Sequence, residues 1–575
     1  MKLIIKEYLA ALRERGELDA IIPDMLSQLG LHVFSEPTRG TTQRGVDVAA
    51  EGKIQLSDGN SYEGIFLLSI KAGNLTRSEW DTGPQALRPS LNEILDSYIP
   101  HNLTDKQRLR HIYICFCIGG VVVENVRDLV AGFIATNTRS NIFFLEWNGD
   151  ILADMINRGL LSDEVIASDA KMFLRKSIAM LESSEISYRY FNNFLQNLVG
   201  ANPTKKERKR LVLQINLSLW ILWAWGRNEK ALETVYLSAE LGLLYSWHLL
   251  RKGREGERDL FLKTLYVYQC ICYDYLQTNV LPYTNVLHCL SLASKPRNAV
   301  DVNIKMFDIL GRLCLAAIWE LLALQGLGEN AEASKQIRDK IYSLINHAVA
   351  LLNNNPSLLS PVKDDFSLEV NMLCLLLLTR GDSCQSIGIY LKNLTSQIQY
   401  ALHCKLLYPC IYDDYADFLN IQNIRRDEHY REIFEDATAG SILYPSLAFW
   451  AVLAQREDIF QQLIKMQREI LPHCAFQLYY LNGEAEEKFY INNDIQGVTL
   501  GSLNLQDGPQ DFCAKIFNEC EENNSFENLS AKKSLFWPII LVGCRHYRFP
   551  FPANFYADFK EMITARFTQD EHENE

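Results

Sequence analysis

The stretch that most constrains this chain is His111–Ile118, an apolar run of residues, HIYICFCI, with no polar alternation. A strand with one wet face alternates apolar and polar residues. A short run without alternation reads as a central strand buried on both faces, the kind found in sheets covered by helices. The neighbouring sequence supplies such a sheet. Leu31–Ser35 is a short apolar run. Gly45–Ala50 and Gly64–Lys71 read as strands of a hairpin turned at Asp58-Gly59-Asn60, and Asn141–Trp147 reads as a further strand. Ile4–Arg15, Leu18–Leu29, Pro84–Tyr98, Val123–Ala135 and Ile151–Arg158 carry apolar residues at helical spacing, and Gly30 stops the second of these. The predicted order over residues 1–160 is α-α-β-β-β-α-β-α-β-α, a mixed sheet flanked by helices.

Past about residue 165 the strand signal nearly vanishes. Amphipathic helices follow one another, broken at Gly226-Arg227-Asn228, Gly326–Asn330, Asn353–Pro356 and Gly381-Asp382. Trp220–Leu243 and Leu321–Leu352 read as helix–turn–helix pairs. They resemble tetratricopeptide-type repeats without a constant period. Residues 161–575 are therefore expected to be an all-helical, repeat-like region for sensing, interaction or oligomerisation, with a possible subdivision near 355–365. A strand-like patch, Phe489–Leu503, stands apart from this pattern.

Composition sets the outer limits. A chain of 575 residues that is 48% hydrophobic and 22% charged can bury large cores, and disorder is not expected. Its net charge of −13 rules out a protein that is basic throughout, so any nucleic-acid surface must be a local cluster of Lys and Arg. The 14 cysteines include no CxxC pair and no Cys–His run with zinc spacing. The CxC pairs Cys115/Cys117 and Cys270/Cys272 read as buried thiols of a reducing cytoplasm. The N-terminus turns polar too soon for a signal peptide. The longest apolar stretches, Leu211–Gly226 and Val370–Leu378, fall short of the roughly 20 residues of a membrane span. A cytoplasmic protein without a membrane anchor is expected. No GxxxxGK[ST] loop occurs, so no phosphate-cradling motor is encoded.

The chemistry is concentrated in Gly45-Val46-Asp47-Val48, the hairpin, and Leu67-Leu68-Ser69-Ile70-Lys71. Adjacent strands lie about 4.8 Å apart and residues two apart share a face, so Ser69 and Lys71 point the same way, next to the strand of Asp47. A carboxylate that holds a hard cation, a second oxygen ligand and an ammonium that offsets phosphate charge are the parts of a magnesium-dependent phosphodiesterase. These residues resemble the PD-(D/E)xK, or restriction-endonuclease-like, superfamily. Gly45-Val46-Asp47-Val48 is similar to its first half-motif, and Ser69-Ile70-Lys71 occupies the second. The resemblance covers residues 1–160, including the buried strand and Phe143-Phe144-Leu145-Glu146-Trp147-Asn148-Gly149-Asp150.

The resemblance implies a restriction-endonuclease-like α/β fold in which Asp47 is the main metal ligand, Ser69 the second-ligand position and Lys71 the catalytic cation, with Mg²⁺ or Mn²⁺ as cofactor. The family usually has Glu, Asp or Gln where this chain has Ser69. Either the acid has migrated or the site is weak or inactive. Glu63, about 20 Å along its strand, and Glu51, about 13 Å along its own, are too distant to replace it. The first helix offers Glu17 and Asp24, seven apart and so on one face, with Asp24 favoured and Asp19 a third option. Glu79 and Asp81 are further candidates.

Arg39, Arg44, Arg77 and Arg88 bracket the motif in sequence and are the expected contacts to a nucleic-acid backbone. The basic run Lys205–Arg210 reads as a solvated helix start. The resemblance further implies a DNA endonuclease, with RNA as an open alternative. It would act as the effector of a bacterial restriction or anti-phage defence system, as a homo-oligomer or with a partner defence protein. The rival expectation is a non-catalytic scaffold that binds nucleic acid or protein.

Overall fold

A computed structural model describes the chain except residues 1–4, 7–8, 11, 37–43, 57–58, 83–85, 160–167, 200–202, 253–254, 327–330, 383, 418–428, 493, 495–496 and 566–575. The chain divides into two compact units. One comprises Met1–Gly242 with Arg254–Tyr268, the other Leu243–Gly253 with Gln269–Glu575.

The first unit is built on a five-stranded mixed sheet of β1 (His32–Ser35), β2 (Val48–Gln55), β3 (Ser61–Lys71), β4 (Ile112–Ile118) and β5 (Ile142–Trp147), in that spatial order. β1, β2 and β3 pair antiparallel, while β3, β4 and β5 pair parallel. The apolar run at 111–118 thus becomes a strand with neighbours on both edges. On one face, Ile65 and Leu67 of β3, Ile114, Phe116 and Ile118 of β4 and Ile142 of β5 form a core. This core packs on α2 (Leu87–Glu93, continued by a π-helical turn over Ile94–Tyr98) and α3 (Glu124–Asn137). The alternate residues Phe66, Leu68, Ile70, Cys115 and Cys117 are buried as well, and Phe66 stacks on Tyr113 and Trp147. Each fully buried side chain of this size contributes about 1.5–3 kcal/mol, which is why the run tolerates no polar residue.

The hairpin strands are longer than the sequence predicts and shifted. β2 begins at Val48 because Arg44 and Gly45 both adopt positive φ, 48° and 78°, and so belong to a turn. α1 (Asp19–Gln28) is preceded by a π-helical turn over Glu14–Leu18, closed by the Leu18 N–H donating to the Arg13 carbonyl at 3.0 Å. α4 (Gly149–Gly159) follows β5, and Lys6 at the N-terminus pairs with its Asp150 at 2.6 Å. The unit continues through α5 (Ser168–Ala179), α6 (Ser184–Val199), α7 (Lys205–Asn228), most of the first half of α8 (Leu232–Leu250) and the first part of α9 (Glu255–Asn279). Thr204 and Glu207 form a capping box at the start of α7, where the basic run lies.

The second unit is largely helical. The predicted pair near residue 340 appears as α10 (Ala299–Gly326) packed on α11 (Ala331–Asn354). α12 (Ser367–Leu377) and α13 (Pro538–Tyr547) also pack on α10. Of the strand-like patch Phe489–Leu503, only Val498–Leu500 is a strand among the described residues; it pairs antiparallel with Leu478–Tyr480, which lies outside the patch, while Phe489 ends a short helix, Glu486–Phe489. A partly buried ionic network ties three of these helices. Asp308 of α10 accepts from Arg312 at 2.7 Å and from Arg545 of α13 at 2.6 Å, and Glu369 of α12 accepts from Arg548 at 2.7 Å. Among the described residues, no helix is long and apolar enough to cross a membrane. The thiols of Cys115, Cys117 and Cys272 are buried and that of Cys270 is half-buried.

Candidate active site

Asp47 reaches its place through a tight loop. A side chain on Gly45 would put its first carbon 2.1 Å from the Ser90 carbonyl of α2, so the backbone passes where only glycine fits. Just beyond, the Asp47 N–H donates to the Leu68 carbonyl at 2.8 Å, and the Ile70 N–H donates to Asp47 Oδ2 at 2.7 Å. Val48 is the first residue of β2 in register, opposite Leu68. The Asp47 side chain therefore replaces the missing ladder partner of Ile70, a capping role that any strand end welcomes.

Ser69 and Lys71 lie at the end of β3, 2% and 5% exposed. The Lys71 ammonium is 3.1 and 3.2 Å from the two carboxylate oxygens of Glu14. Burial pushes the Asp47 carboxyl up to about 6. The Ile70 N–H and the Lys71 charge oppose that shift, and the nearby Glu14 and Asp19 carboxylates add to it. Asp47, Glu14 and Lys71 thus share one electrostatic locus. Cys117 of β4 borders it. Burial raises its thiol strongly, and the Asp47 charge raises it further.

Glu14 arrives because the N-terminal segment crosses the ends of the strands. A side chain on Gly119, just past β4, would meet the Leu9 carbonyl at 2.5 Å, and the Gly119 N–H donates to the Lys71 carbonyl at 3.0 Å. The π-helical turn then sets the direction of Glu14. Such turns recur at functional sites because one extra residue per turn rotates what precedes it.

Two of the acids expected from the first helix are engaged elsewhere in this unit, while the third, Asp19, stands near enough to Asp47 for its charge to raise that carboxyl. Asp24 pairs with Lys263 at 2.6 Å, and Glu17 pairs with Arg227 at 3.0 Å. Glu14 stands beside Lys71 instead. The sequence carried a signal for it, Glu14 three residues before Glu17, but an ideal helical wheel does not contain the π turn that separates their directions. Asp81 pairs with Arg88 at 3.3 Å and Glu79 is exposed. Arg44 donates to Asn102 at 2.8 Å, Arg77 is exposed, and Arg39 lies outside the described residues.

The donor set suits a hard cation. Asp47 and Glu14 offer carboxylate oxygens, and magnesium is commonly held by one or two carboxylates, with waters and substrate phosphate completing its shell. Among the described residues, no group of three or more His, Cys, Asp or Glu side chains is arranged to hold a metal ion. Comparison of the chain with family models, with curated proteins and with solved structures gives no match, so the meaning of this site rests on its own geometry.

Proposed function

We propose that the first unit is a Mg²⁺- or Mn²⁺-dependent phosphodiesterase that cuts DNA, built as a restriction-endonuclease-like domain. We further propose that it is the effector of a bacterial defence system whose trigger is read by the helical remainder of the chain. The observation that carries the reading is the meeting of Asp47, Glu14 and Lys71 at the end of β3. Asp47 and Glu14 would hold the cation, which polarises the phosphodiester and offsets its charge. With its carboxyl at about 6, Asp47 is ionised at neutral pH and protonates in mild acid. Lys71 is buried and paired, so its ammonium is held in one place. It supplies a fixed positive charge where negative charge grows as the phosphorus–oxygen bond breaks. Ser69 adds only a neutral hydroxyl, and Glu14 supplies the carboxylate that position lacks.

The test is digestion of DNA, with an RNA arm, by the full chain in Mg²⁺. Asp47→Ala, Lys71→Ala and Glu14→Gln are each expected to cut at least about 100-fold more slowly, the scale of losing one charge-stabilising group. If Asp47→Ala and Lys71→Ala cut as fast as the parent, the proposal is wrong. A second reading, a binding scaffold without catalysis, draws on the Asp47–Ile70 cap and on the Glu14–Lys71 pair, which satisfy each other without a ligand. Ser69→Glu separates the two. It adds a third carboxylate to a locus already served by Glu14 and should depress cleavage. In an inert site it should instead raise metal affinity.

A further inference from the structure

We infer that Arg227 and Lys263 are positioning residues, which hold the segment bearing Glu14 in register with β3 so that the site is complete only when the helices α7 and α9 are docked. This inference rests on the phosphodiesterase reading. Glu14 opens the π-helical turn, and Glu17 lies within the same turn, three residues on. Glu17 is 4% exposed, and its two carboxylate oxygens take a fork from Arg227, with Nη2 to Oε1 at 3.0 Å and Nη1 to Oε2 at 3.4 Å. Its Oε2 also accepts the Arg13 N–H at 2.9 Å, which ties the residue just before Glu14 to the same carboxylate. The Arg227 guanidinium is itself braced over the Trp223 ring, its Cζ 3.8 Å from the ring centre. About two turns further on, Asp24 of α1 is held by Lys263 of α9 at 2.6 Å.

These two pairs restrain the turn in different ways. A forked guanidinium–carboxylate pair fixes direction as well as distance, so Glu17 cannot swing without breaking two hydrogen bonds. A single ammonium–carboxylate contact fixes distance only, so Lys263 limits sliding of α1 along its axis. Together they define where Glu14 stands relative to Lys71. Arg227 binds Glu17 and Lys263 binds Asp24, neither of which is a residue of the site itself. Their effect on the chemistry is therefore transmitted through the turn. An ammonium at position 227 could replace the charge but not the fork, which makes Arg227→Lys informative.

The experiment uses the full chain and two readouts. Hydrogen exchange compares Arg227→Gln, Arg227→Lys, Lys263→Gln and the charge exchange Glu17→Arg with Arg227→Glu. Arg227→Gln is expected to raise exchange of the amides of residues 14–19 at least about tenfold while β3 and β4 stay protected. Arg227→Lys should give an intermediate increase, Lys263→Gln a smaller one, and the charge exchange should restore protection. In Mg²⁺-dependent cleavage, Arg227→Gln should shift the half-saturating Mg²⁺ concentration upward by about tenfold or more, a change that mere loss of folded protein does not produce. Unchanged exchange at residues 14–19, or equal loosening of the whole unit, overturns the inference. A parent chain that cuts neither DNA nor RNA overturns the catalytic reading alone, and the exchange data still decide the positioning role.

Discussion

At the scale of single residues, Asp47 carries a conflict between stability and function. Its carboxyl titrates near 6 in the folded chain against 3.8 in the unfolded one. Between those values the folded state binds more protons, so stability falls as pH rises through that window. The shift corresponds to up to about 3 kcal/mol of lost stability above pH 6, an upper bound because water reaches part of the group. Asp47→Asn keeps an acceptor for the Ile70 N–H and removes the charge. It should raise the urea midpoint at pH 8 and leave it unchanged at pH 4, while abolishing cleavage. Cleavage at limiting Mg²⁺ should rise with pH through about 6, because the proton on metal-free Asp47 competes with the cation. A destabilised Asp47→Asn at pH 8 would show that the carboxylate is structural only. Asp47 and Lys71 were legible in the sequence because a hairpin motif names them by spacing. Glu14 was not, since its partner lies 57 residues away and its direction depends on a π turn that leaves no local pattern. The arginines expected to contact a nucleic-acid backbone illustrate the same limit. Spacing located Arg44 and Arg88, and only the coordinates show that one is committed to Asn102 and the other to Asp81.

At the scale of elements, the sheet was readable and its edges were not. β4 followed from apolarity alone, and β5 from an apolar run before Asn148. β2 starts three residues later than its hydrophobic pattern suggests, because the pattern cannot distinguish a strand from a tight turn that feeds it. Gly45 is the reason: it has positive φ and faces the Ser90 carbonyl. Gly45→Ala should therefore cost about 2–4 kcal/mol, combining left-handed strain with an overpacked backbone contact. Urea unfolding measures that loss, and cleavage should fall with it because the same loop carries Asp47. A neutral Gly45→Ala would mean that the loop relaxes away from α2. The helices were legible in kind, since the pairs α7 with α8 and α10 with α11 match the predicted helix–turn–helix segments. Their partners were not, because an amphipathic stripe says that a face is buried and not against what.

At the scale of the whole molecule, a few charged side chains are withdrawn from solvent. The second unit half-buries Asp308 among Arg312, Arg545 and Lys305. Burial alone would raise its carboxyl, but the surrounding cations outweigh it and hold it well below the usual range. That stabilisation is present above the ordinary carboxyl value and is lost as pH falls toward the depressed one. Asp308→Asn leaves two guanidinium groups buried without their shared counter-charge and should cost about 3–5 kcal/mol. Hydrogen exchange of α10 and α13 in that variant checks it, and unchanged protection of both helices would contradict the account.

The pairs Glu17–Arg227 and Asp24–Lys263 span 210 and 239 residues. On a ribosome, the acid turn near the amino end is made early, while its anchors emerge only after most of the first unit. A nascent or prematurely terminated chain would thus carry the hairpin of Asp47 and Lys71 with its third group unanchored. On the proposed reading of the chain as a DNA-cutting enzyme, the order of synthesis itself would protect a cell from fragments and half-made copies.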